Sequence, residues 1–255
     1  AVYSTLGRIT RHATPPCRLQ TPVLVLSDLE LGMNENLSEP LEWDDARRFD
    51  RGKVLNARQL DEVETFGRYR DVDGDGVGYR TLPGTHPDKG AFFTRGTSRD
   101  EYAAYTESPE AYQRNMERLQ LKWQTARQLV PIADITGRGG SVGVLYYGTT
   151  ALPIPEALDK LAVNGIHLDT CRVRGFPFGD EVETFVAQHD LIFVVEQNRD
   201  GQMRTLLINE LQTNPAKLIP ILYFAGLSIS ADFIDEQISA YYEEHKLARL
   251  TEVKS

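Results

Sequence analysis

The sequence predicts an α/β protein: a parallel sheet with helices on both faces. Three observations carry this. Short Val/Ile/Leu-rich runs recur through the second half of the chain, amphipathic helical segments separate them, and Gly, Asn and Pro punctuate the junctions. Strands and helices alternating at this rhythm give parallel strands, because each crossover helix returns the chain to the same end of the sheet.

Taken in order, residues 1–20 (AVYSTLGRITRHATPPCRLQ) hold Pro15-Pro16 and no sustained apolar period, so they are expected to pack poorly. PVLVLSD, residues 22–28, suits a buried strand ending in a polar turn. The chain opens on Ala, and this run has no sister strands nearby, so it reads as the last strand of a sheet whose remainder is missing from a fragment. From Leu37 to Gly90 the sequence is rich in Gly, Pro and Asp, and only NARQLDEVETF, residues 56–66, suits a short helix. Irregular stretches of that length in a compact protein are functional or connecting. Between Arg99 and Leu129, Tyr105, Tyr112, Met116, Leu119, Trp123 and Ala126 recur at helical spacings, predicting a long bridging helix with a possible break at Pro109.

After Gly137-Arg138-Gly139-Gly140 the alternation is plain. Strands are expected at 141–148, 167–174, 191–197 and 218–226, and helices at 156–165, 181–189, 201–211 and 231–247. Residues 141–255 should form one α/β domain.

Composition narrows the function. The 255 residues are 41% hydrophobic and 25% charged, with net charge -9 and a pI near 5.1, which argues against a nucleic-acid partner. Cys17 and Cys171 are the only two thiols, without CxxC or His-spaced companions, so neither a disulfide framework, a metal site nor an iron–sulfur cluster is indicated in the chain itself. No apolar run reaches the ~18 residues needed to cross a bilayer, and no signal peptide opens the sequence, so no membrane partner and a cytoplasmic setting are expected.

Several local patterns bear on chemistry. DVDGDGVGYRTL, residues 71–82, opens like a calcium loop, with Asp71, Asp73, Asp75 and a sixth-position Gly76. Its twelfth residue is Leu82, which cannot close the coordination sphere, so a carboxylate-bearing turn is expected instead. Gly148-Thr149-Thr150 is too short for a phosphate cradle, and no dinucleotide, Walker, nucleophile-elbow or HExxH motif occurs. His167 and His189 sit at element ends and read as structural. His86 lies in a loop with Arg80, Thr85 and Arg95, which either binds an anion or ties itself together by pairing Arg80 and Arg95 with Asp71, Asp73 and Asp75. The loops beyond the strand carboxyl ends, 147–150, 174–178 and 196–200, are where α/β sheets place function. The third is the most loaded: Glu196, Gln197, Asn198 and Arg199 form a candidate subunit contact, and capping of the next helix by Asn198 and Asp200 is the alternative.

LSDLELGMN, RGKVL, FGRYRDVDGDGVGYRTLPGTHPDKGAFFTRGTSRDEYAAYTE, RGFPF and FVVEQNRDGQMR, in this order, resemble the alpha subunit of bacterial 2-oxoacid:ferredoxin oxidoreductases, the 2-oxoglutarate type especially. The resemblance runs from about Gln20 to about Gln237. It implies that 1–50 is the end of a thiamine-diphosphate pyrimidine-binding domain, 51–140 a connector with a bridging helix, and 141–255 a transketolase C-terminal-like domain. It also implies decarboxylation of 2-oxoglutarate on thiamine diphosphate and Mg2+, electrons leaving through an iron–sulfur cluster to ferredoxin, and succinyl transfer to coenzyme A. The cofactors would sit mostly on a beta subunit, with none held by this chain alone. Arg80, Thr81, Thr85 and Arg95 would help hold the substrate's second carboxylate. One departure stands out: Arg99 replaces the histidine of the family's RGTSHDEYA motif. A non-catalytic interaction module, and the same enzyme acting on pyruvate or other 2-oxoacids, are the alternatives.

Overall fold

The computed structural model describes residues 18–22, 29–33, 40, 45–46 and 50–247. Most of the expected strand at 22–28, and residues 1–17, lie outside the described residues. Two compact units emerge, one including residues 50–129 and the other residues 29–33 and 130–247.

In the first unit, regular structure is sparse. Helix α2 (Ala57–Glu62) follows the short α1 (Leu29–Met33) in the chain and starts where Asn56 and Gln59 cap one another reciprocally, satisfying two orphan N–H groups. Helix α3 runs Pro109–Arg127. Its start corrects the sequence expectation: Ser108 accepts the Ala111 N–H and Pro109 fills the first helical turn, so residues 99–107 lie outside the helix and Tyr105 instead bridges Arg99. Leu19 is buried with Val77 and Ala126, so the end of the segment expected to pack poorly is packed.

The second unit is the α/β domain. Its strands are β1 (Asp134–Thr136), β2 (Val142–Tyr147), β3 (Asp169–Val173), β4 (Leu191–Glu196) and β5 (Leu218–Leu222), in the order β1-β3-β2-β4-β5. β2 to β5 are parallel; β1 was not foreseen and joins antiparallel to β3, Ile135 opposite Cys171. The helices are α4 (Ile154–Val163), α5 (Asp180–Gln188), α6 (Gln202–Leu211) and α7 (Ala231–Glu244).

Side chains alternate across a strand, and β4 shows the result. Phe193 and Val195 face one apolar layer with Ile154 and Leu161 of α4 and Ile234, Ile238 and Tyr242 of α7. Ile192 and Val194 face the other, with Phe185 of α5 and Leu207 of α6. A strand buried on both faces reads as an unbroken apolar run, which is what LIFVV is.

Candidate functional site

The sheet order decides where a site forms. From β2 the chain crosses to β3 on one side, then returns over β2 to β4 on the other. The helices that follow β2 and β4, α4 and α6, consequently lie on opposite faces, and their loops part at the strand carboxyl ends. Such a switch point leaves a crevice. Here it is a cavity of about 330 Å³ lined by Tyr147 to Thr150 after β2, Gln197 after β4, Gly226 to Ser228 after β5, and Glu30 of α1.

Gln197 spans the crevice: its Nε2 donates to the hydroxyls of Thr149 and Thr150, each at 3.1 Å. Gly148 has φ +60°, a left-handed conformation that lets β2 turn straight into a 3-10 turn carrying both threonines. Glu30 brings a carboxylate whose Oε2 is buried without a hydrogen-bond partner. The lining holds hydroxyls, an amide and a carboxylate but neither Lys nor Arg, so its chemistry suits hydroxyl- or amine-bearing groups better than anions.

Next to it, Glu196 is fully buried. Its carboxylate accepts from the N–H groups of Met203 (2.7 Å) and Arg204 (2.9 Å) and from the Asn198 amide (2.8 Å). α6 begins at a glycine with no capping side chain, and Glu196 supplies the missing acceptor from the strand. Burial, then the Glu196 charge, pushes the Tyr147 phenol up, so it stays protonated. Asn198 accepts from the N–H groups of Asp200 and Gln202, the capping role expected of it, whereas Asp200 pairs with Arg199. Of the four residues read as a subunit contact, Glu196 is therefore turned inward, Gln197 lines the crevice, Asn198 holds the turn, and Arg199 is exposed.

The residues read as a substrate-carboxylate cluster each make a contact within this unit, and the Arg80 Nε is buried without a hydrogen-bond partner. Arg80 donates to the Arg51 carbonyl (2.7 Å), Thr81 to the Gly90 carbonyl, and Thr85 to the Leu82 carbonyl (2.7 Å). Arg95 lies over the Tyr105 ring. His86 Nδ1 accepts from the N–H groups of Asp88 and Lys89, which leaves Nε2 to donate to Asp61 (3.0 Å). The expected tie between the arginines and the Asp71–Asp75 carboxylates is made by a different cation. The Lys53 ammonium sits between Asp73 and Asp75, 2.6 Å from the latter, and Asp71 accepts from Gly74 and Gly76 N–H. Gly76 (φ +76°) is needed for another reason than calcium: a Cβ there would come within 2.2 Å of the Lys122 nitrogen in α3.

The described residues do not suit the groups that the resemblance implies. An iron–sulfur cluster takes about four thiolates, and the one described cysteine, Cys171, is buried, with its pKa pushed up by that burial to about 12. Of the three clustered carboxylates, Asp73 and Asp75 already hold the Lys53 ammonium and Asp71 accepts from Gly74 and Gly76 N–H.

No family model matches the chain. It is 29% identical over 195 residues to the alpha subunit of 2-oxoacid:ferredoxin oxidoreductase 2 from Aeropyrum pernix, covering 74% of this chain and 29% of that protein. Its fold matches a Magnetococcus marinus 2-oxoglutarate:ferredoxin oxidoreductase, solved with 2-oxoglutarate, coenzyme A and succinyl-CoA bound, at TM-score 0.64 and 20% identity over 76% of this chain and 32% of that one. The chain thus spans under a third of the length of these relatives. Among the described residues no helix is long and apolar enough to cross a membrane. Over the matched residues, the chain is similar to a 2-oxoacid:ferredoxin oxidoreductase alpha subunit.

Proposed function

We propose that the chain serves as part of the alpha subunit of a cytoplasmic oxidoreductase that converts 2-oxoglutarate and coenzyme A to succinyl-CoA while reducing ferredoxin. The observation that carries this reading is the 195-residue similarity to an oxidoreductase alpha subunit. Thiamine diphosphate, Mg2+ and the iron–sulfur cluster would be held mainly by a beta subunit, as the resemblance implies. Exposed Arg199 is the residue of the β4 loop best placed to meet that subunit.

Co-expression with a beta subunit tests the reading. A stable complex that reduces ferredoxin with 2-oxoglutarate and coenzyme A is the expected outcome, and failure to form any complex would overturn it. Within that enzyme, Arg80→Ala separates two roles for the loop. A larger rise in KM for 2-oxoglutarate than for pyruvate gives Arg80 to the substrate. Equal changes give it to loop structure, the outcome that its bond to the Arg51 carbonyl favours. A non-catalytic interaction module is the second reading, favoured by the absence of Lys or Arg from the crevice lining. It predicts a complex without ferredoxin reduction.

A further inference from the structure

Tyr69 is ringed by guanidinium groups: Arg68 lies 5.3 Å, Arg99 5.6 Å and Arg118 5.7 Å from its ring centre. Lys122 follows Arg118 by one helical turn on α3 and so shares its face. Arg68, Arg118 and Lys122 are each half-buried, and the pKa of each is lowered, by burial first and then, for Arg68 and Lys122, by the other cations. Arg80 adds to the positive field on Arg68, and Asp71 is the acid felt by Arg118. Arg99 and Arg118 spend donors on the Gly96 and Gly76 carbonyls. Arg68 and Lys122 have no carboxylate or hydrogen-bond partner among the described residues; Arg68 rests only on the rings of Tyr69 and Phe92.

Like charges half-removed from water repel one another, and a protein of net charge -9 has acids in ample supply to neutralise them. Among the described residues Asp71 is the one acid that acts on this cluster, through Arg118, and it already accepts from the Gly74 and Gly76 N–H groups; three cations sharing it mark a receptor for a further counter-ion. We infer that Arg68, Arg118 and Lys122 form a binding site for a compact dianion, a phosphate or a dicarboxylate. Guanidinium forks offer paired N–H donors to two oxygens of one group, and the lysine adds a mobile point charge. The Tyr69 ring holds the forks in place by cation–π contact. The inference rests on the charges alone and stands whether or not the oxidoreductase reading does.

The test uses the whole 255-residue chain. Inorganic phosphate and succinate are titrated by calorimetry and by thermal unfolding at constant ionic strength, with chloride and acetate as monoanion controls. Dianions should bind and raise the Tm while monoanions do not; phosphate alone assigns a phosphoryl ligand, succinate alone a dicarboxylate. Lys122→Gln and Arg68→Gln should each weaken binding roughly tenfold, the loss of one charged hydrogen bond, and Lys122→Arg should retain it. Without anion, Lys122→Gln should melt no lower than the parent, because it relieves repulsion. Equal protection by monoanions, undiminished protection of the Gln variants, or a lower melting point for Lys122→Gln without anion would each overturn the inference. Should a Gln variant fail to fold, comparison of the parent with Lys122→Arg across the anion series decides the matter on the same criteria.

Discussion

The Glu196 carboxylate, at the end of β4, lies 2.9 Å from the Arg204 N–H in the first turn of α6, so a strand supplies the cap that the helix's own start lacks. Glu196→Ala leaves two helical N–H groups and the Asn198 amide without their acceptor in a buried setting. A loss of about 2–4 kcal/mol is expected, and Glu196→Gln, which keeps the shape but not the charge, should lose less. Urea unfolding of both variants measures this; a change under about 0.5 kcal/mol for Glu196→Ala, the size of an ordinary surface substitution, would remove the capping role.

Lys53 holds the Asp71–Asp75 turn. Burial lowers its pKa, but the hydrogen bonds to Asp73 and Asp75 outweigh that, and the net shift is upward. Removing it in Lys53→Ala leaves three carboxylates with ligand oxygens within 4.8 Å of one another. The variant should melt several degrees lower at low ionic strength and regain part of the loss with millimolar calcium. The parent protein should ignore calcium, since Lys53 already fills the place.

Asp169 accepts from the N–H groups of Arg138 (2.8 Å), Gly139 (3.0 Å) and Gly140 (2.9 Å), pinning the loop before β2. Burial alone would raise its pKa, but those bonds, with His189, carry it below the ordinary 3.8. Its stabilising contribution is therefore fully present above that ordinary value and lost as the pH falls through the lower folded one. Acid unfolding of Asp169→Asn should show a weaker pH dependence below pH 3.8 than the parent; identical slopes would mean that Asp169 does not govern the acid limb.

Cys171 is inert by the same physics. Burial pushes its thiol up to about 12, which leaves almost no thiolate at neutral pH. In a Cys17→Ser background, native protein should resist a thiol-modifying reagent for as long as it stays folded, and react at once in denaturant. Rapid labelling of the native state would place Cys171 within reach of solvent.

Much of the α/β unit was legible because buried strands show as apolar runs, as β2, β4 and β5 do within a residue or a few of their observed ends; β3, Asp-Thr-Cys-Arg-Val, was legible only from its place between two helical segments. β1 was invisible for the opposite reason: Asp134-Ile135-Thr136 is exposed throughout, so it carries no buried period, and only its partner β3 makes it a strand. Tyr105 matched a helical period that Ser108 and Pro109 interrupt, since local capping outranks distant periodicity at a helix start. The candidate site was readable as a set of loops but not as contacts. Glu196 lies seven and eight residues from the N–H groups it caps, and Lys53 twenty and more from its carboxylates, separations at which composition says nothing about pairing.

The two edges of the sheet close it to further strands. On one side β1 runs against the direction of its neighbour and is only three residues long, exposed throughout, with Asp134 tied back to Arg174 just beyond β3. On the other, Pro220 sits in the middle of β5, opposite Val194, and a proline is tolerated in a ladder only where the missing N–H would face outward. A short reversed strand and a proline are both devices that stop one sheet from templating another. Association by strand addition, the route taken by many peptide-binding and aggregating β proteins, is thus disfavoured at both edges of the described sheet, which leaves its helices and loops as the surfaces a partner would meet.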